Sequence, residues 1–159
     1  AQDSDGQENG NEQVSADLLN SRNHRRTLIG VWEVTVTPRF CTTGDPIPNA
    51  AFQALFTFHR DSTLSAWFQN AQITLTRSPS HGLWKRERGW SDFSFKFVHL
   101  RYNSTGAFIG KQEAEGILVL SESGDEITTD SSTQIFDVNG IPTGIIGCST
   151  SVGTRFGGL

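Results

Sequence analysis

The chain has no methionine, one tyrosine and only two cysteines in 159 residues. Two cysteines are too few for the disulfide-dense scaffolds that replace a core with cross-links. No run of about 18 apolar residues occurs, so no segment reads as a membrane-spanning helix. Lys and Arg number 13 against 17 Asp and Glu, for a net charge of -4. The basic residues do not gather into a stripe that would neutralise a row of phosphates, and no nucleic-acid partner is expected. Common enzyme signatures are missing as well: there is no Gly-X-Ser-X-Gly, no glycine-rich phosphate loop ahead of a helix, and no pair of carboxylates on one apolar face. Close histidine spacing of the H-x-x-x-H kind is absent too, so neither a metal nor a cofactor is expected.

What is present fits one domain with a tail. Leu, Ile, Val and Phe make up about a quarter of the residues, enough for a real but lean core. The chain opens Ala1-Gln2-Asp3 without an initiator, which reads as the product of signal-peptide removal. With Cys41 and Cys148 as an even pair, the expectation is a secreted or periplasmic protein whose two cysteines are bridged. Residues 1–13 hold no large apolar side chain and four acidic ones, and read as a solvated acidic tail. The folded domain is then 14–159. Val14, Leu18 and Leu19, behind the possible cap Ser15, predict a short helix that ends before Thr27.

From Leu28 onward the apolar period falls to two and turn signals recur at short intervals, the pattern of an all-β fold. Eight segments are predicted as strands: 30–38, 52–59, 62–68, 82–89, 90–102, 107–122, 126–137 and 141–156. The stretch 78–82, with Pro79 and His81, reads as a connection between the third and fourth. Asn139-Gly140 is a strong hairpin signal, and Gly110 and Gly116 inside the sixth segment mark bends where a sheet curls. Sequential strands joined by short turns predict an eight-stranded antiparallel up-and-down β-barrel, because closure removes exposed edges. A two-sheet sandwich would need longer crossovers.

Closure makes the first strand a neighbour of the last. If Trp32 stands opposite Arg155, antiparallel pairing sets Cys41 opposite position 146, two residues short of Cys148 and within reach of a bridge once the chain bends beyond Pro38.

Gly30-Val31-Trp32 at the start of the first strand, a short helix before it, eight strands, and Arg155 in Thr154-Arg155-Phe156 together resemble the calycin pattern and, within it, the lipocalins. Avidin-like calycins share that barrel. The lipocalin triplet Thr-Asp-Tyr has no counterpart, since Thr129-Asp130 is followed by Ser131 inside a predicted strand. The chain therefore resembles an outlying, bacterial-type lipocalin-like domain. The resemblance implies that Gly30, Trp32 and Arg155 close the base of the barrel, the guanidinium packed over the indole, and that the cup above them holds a small apolar molecule.

The residues agree in part. Phe56 and Phe58 share one face of the second strand, and Phe93, Phe95, Phe97 and His99 one face of the fifth, which predicts an aromatic-lined pocket with one polar group for a small hydrophobic ligand. Two other readings stand beside it. One is a barrel isomerase or cyclase with His99 or His59 as acid or base. The other is a filled core of eleven Phe in a module that works through its loops or by oligomerising. Asn103-Ser104-Thr105 fits a glycosylation sequon at a hairpin tip.

Overall fold

The computed structural model describes residues 27–69 and 75–157. The predicted acidic tail and N-terminal helix lie outside the described residues. The strands are β1 (Gly30–Arg39), β2 (Phe52–Phe58), β3 (Thr63–Phe68), β4 (Leu75–Arg77), β5 (Ser80–Arg86), β6 (Asp92–Asn103), β7 (Phe108–Leu120), β8 (Glu126–Phe136) and β9 (Pro142–Arg155). Every pairing is antiparallel. The ladder runs from β1 through β2, β3, β5, β6, β7, β8 and β9 back to β1, with β4 beside β6. Because β4 and β5 both lie against β6 and are separated only by Ser78 and Pro79, they are two parts of one strand, and the sheet is a closed eight-stranded barrel. All eight predicted segments are strands. The connection expected at 78–82 is mostly strand as well, since β5 begins at Ser80.

The break between β4 and β5 is a one-residue slip. β5 pairs His81 with Val98, a register that would set position 77 opposite Tyr102, yet Arg77 pairs with Arg101. Pro79 has no N–H to give the ladder, and extra residues are accommodated by such bulges. Side chains alternate with period two, so the slip reverses which of Thr76 and Arg77 faces inward. Thr76 is exposed, while Arg77 is partly buried against the interior rings.

Closure between first and last strands follows the register derived from Trp32 and Arg155: those two are partners, as are Val36 with Ser151 and Arg39 with Cys148. Cys41 and Cys148 form a disulfide with Cα atoms 5.2 Å apart. Gly30, at φ 137°, sits where a side chain would meet the Arg155 guanidinium 3.0 Å away. At Gly116 a Cβ would strike the Asp130 carbonyl and the Phe95 ring, so glycine lets β7 lie close to its neighbours. The Asn139-Gly140 hairpin forms, with Gly140 in the left-handed region and the Asp137 carboxylate accepting the backbone N–H groups of Asn139 and Ile141.

The core fills the end of the barrel at the start of β1. Trp32, Phe58, Leu64, Phe93, Leu118, Leu120 and Ile127 are almost wholly buried there. Arg155 lies over Trp32, 4.3 Å from the ring centre, and donates to the carbonyls of Thr27, Ile29 and Gly124. The indole N–H donates to the Leu28 carbonyl. Among the described residues no helix is long and apolar enough to cross a membrane.

Candidate functional site

Away from that floor the barrel is not completely filled. A cavity of about 60 Å³ lies toward the far end, the mouth, where β1 finishes and β2 begins. It has two unlike walls. On one side stand Phe56, Phe68, Phe95 and Phe97, with Phe56 and Phe97 each within 6.2 Å of Phe68 or of one another. Facing them are hydroxyls from β8 and β9: Thr129, Ser131, Thr133, Ser149 and Ser151. Ser131 and Ser149 are cross-strand partners whose hydroxyls lie 2.9 Å apart. Side chains this short leave room that Leu or Phe would take up. They also carry hydrogen-bonding capacity into the interior, where polar groups are costly unless satisfied.

Three nitrogen-bearing side chains complete the lining. His99, on the inward face of β6, is 3 % exposed. Its Nδ1 is 3.3 Å from the Ser80 hydroxyl, and the Gln112 side chain lies within hydrogen-bonding reach. Burial first, and then the positive charge of Arg77, push His99 down to about 4, so the ring is neutral at neutral pH. Arg77, turned inward by the slip between β4 and β5, spreads its guanidinium over Phe52 and Phe68 at 5.8 and 5.4 Å from the ring centres. Burial, with Arg101 beside it, holds its pKa below the ordinary arginine value.

Of the six residues predicted to meet a ligand, Phe56, Phe95, Phe97 and His99 line this cavity, whereas Phe58 and Phe93 lie below it in the packed floor against Trp84. His59 is not with His99. It sits in the β2–β3 hairpin at the floor end, its Nε2 3.0 Å from the Ser65 hydroxyl and its carbonyl accepting the Trp84 indole N–H. His81 points outward and is exposed. Asn103 ties its own turn, its side-chain oxygen accepting from Thr105 and Ala107. No group of three or more potential metal ligands occurs among the described residues.

Arg77, Gln112 and the hydroxyl wall were not foreseen. Serines and threonines on both faces of β8 and β9 give no apolar period to read, and Arg77 lies in a strand too short to show one. The available signal was the alternate spacing of Thr129, Ser131 and Thr133 opposite Ser149 and Ser151.

A larger depression, of about 880 Å³, lies on the outer surface of β5 to β8 and includes Leu83, Lys96, Glu115, Ile117 and Asp130. It is bounded by exposed side chains of one sheet face, with Leu83 and Ile117 more than half exposed. No protein-family model matches this sequence, and the search of curated proteins finds no significant match.

Proposed function

We propose that this chain is an exported, calycin-type barrel that holds a small molecule in its interior. The observation that carries the reading is the two-faced cavity, with rings on one wall and hydroxyls on the other. A pocket that fixes a ligand by apolar contact and orients it by a few polar groups has this make-up. The calycin assignment draws support from the closed eight-stranded barrel with Gly30-Val31-Trp32 under Arg155. Export draws support from the bridge between Cys41 and Cys148.

The cavity also narrows the ligand. An engineered apolar cavity of about 150 Å³ accepts benzene, so about 60 Å³ suits a compact molecule of a few heavy atoms. Its polar wall favours an amphipathic ligand over a purely hydrophobic one. Binding is favoured over acid–base catalysis because His99 titrates near 4, away from the neutral range where a general acid or base works best.

A panel of short alcohols, amides and acids, titrated while backbone amide NMR signals are followed, tests the reading. Saturable one-to-one binding should shift Phe56, Phe97 and Thr129, and Ser151→Leu, which fills the space, should abolish it without lowering the melting temperature. Absence of saturable binding, or binding indifferent to Ser151→Leu, refutes it. The outer depression would then support the second reading, a module that binds through the Leu83 and Ile117 face, tested by Ile117→Asp against any retained partner.

A further inference from the structure

Charge at the mouth does not follow the charge of the molecule. The chain is net negative, yet Arg77 and Arg101 are direct register partners on β4 and β6, and side chains of directly opposed residues leave the same face of the sheet. Like charges so placed repel, and each lowers the ease of protonating His99. Among the described residues neither arginine forms a salt bridge with a carboxylate; the ion pairs there are Lys85 with Glu87 and Lys111 with Glu113. A partly buried guanidinium without a counter-ion is an arrangement that burial penalises.

The rest of the cavity supplies complementary groups. Thr129 and Ser151 are each 6 % exposed and line the cavity, which brings their hydroxyls to its polar wall. Below Arg77 lie the rings of Phe56, Phe68 and Phe97. An occupant that satisfies all three features has one negative head with fixed acceptor oxygens and a short apolar body. Carboxylate matches the planar fork of arginine, which donates two parallel hydrogen bonds to it.

Building on the interior-binding reading above, we infer that the cavity takes a small aliphatic monocarboxylate, its head at Arg77 with Arg101 alongside, and its tail against the phenylalanine wall. The slip between β4 and β5 is what brings the anchor inside.

Acetate and its neutral isostere acetamide, small enough for the cavity and titrated against the full chain by calorimetry and NMR, provide the test. Acetate should bind at least about tenfold more tightly than acetamide, the scale of a charge-assisted pair. Arg77→Gln should erase that preference, and Arg101→Gln should reduce it in part. Equal affinity for the two probes, or a preference that survives Arg77→Gln, overturns the inference and leaves the binding cavity standing. If inorganic phosphate competes as well as acetate, the site reads charge alone and the aliphatic assignment fails. If neither organic probe binds, the cavity reading falls together with it. Should Arg77→Gln not fold, Arg77→Met carries the same comparison.

Discussion

The barrel contains two arginines that lie over aromatic rings, one at each end, and they are satisfied in opposite ways. Arg155 caps Trp32 and spends its N–H groups on backbone carbonyls of Thr27, Ile29 and Gly124. Arg77 lies over Phe52 and Phe68 and has no such acceptors among the described residues. The same side-chain chemistry is thus a closed joint at the floor and an open valence at the mouth. Around Arg155 the interior is large apolar residues in contact; around Arg77 it is short hydroxyls and a void. The comparison teaches that an arginine stacked on a ring is to be judged by where its donors go.

The largest effect that bears on this contrast is covalent. The mouth end, poorer in packing, is tied by the Cys41–Cys148 bridge across a sequence separation of 107. Replacing both cysteines by serine should cost about 4–5 kcal/mol on the chain-entropy account, read from urea unfolding. Next, Trp32→Ala at the floor should cost roughly 3–5 kcal/mol through the cavity it leaves. Arg155→Ala should cost about 2–4 kcal/mol, because buried carbonyls lose charged donors and the indole loses its cap. Arg77→Ala, by contrast, should cost about 1 kcal/mol or less, because it gives up only contacts with the Phe52 and Phe68 rings while removing a partly buried charge that has no counter-ion. Equal losses at the two arginines would erase the distinction drawn between floor and mouth.

A smaller effect sharpens the mouth side. His99 is depressed from an ordinary 6.5 to about 4 in the folded chain, so between those values the unfolded state binds more protons. The neutral ring's contribution to stability is complete above about pH 6.5 and is lost as the pH falls through 4. The difference in unfolding free energy between the parent chain and His99→Gln should therefore shrink across that window and be flat above it. A His99 NMR titration midpoint near 6.5 would show that the ring is neither desolvated nor beside a cation.

Much of this was legible before any coordinates. Alternation marked the strands because one face of β1, β2, β3 and β6 is apolar and the other is not. With Trp32 set opposite Arg155, antiparallel arithmetic brought Cys41 near Cys148, since closure makes the first and last strands neighbours. The phenylalanines of β2 and β6 were legible as interior residues, although Phe40, Phe108 and Phe156 are exposed and a core of all eleven does not form; their division was not legible: whether a ring packs the floor, as Phe58 and Phe93 do, or faces a void, as Phe56 and Phe97 do, depends on what stands across the barrel. That opposite wall is built of Ser and Thr, whose pattern looks the same on a wet face as on an inner one. Arg77 was illegible for a sharper reason. Its inward orientation depends on a bulge at Ser78-Pro79, and periodicity read along the chain assumes that none intervenes.

That bulge makes the polarity of the mouth a matter of register. A chain of the same length in which the β5 register ran unbroken through Ser78 would set position 77 opposite Tyr102, turn Thr76 toward the interior and expel the guanidinium to solvent, with no substitution at any residue that lines the cavity. An interior that offers a guanidinium and one that offers a hydroxyl would then differ by a bulge on the rim, and not by the identity of any pocket residue.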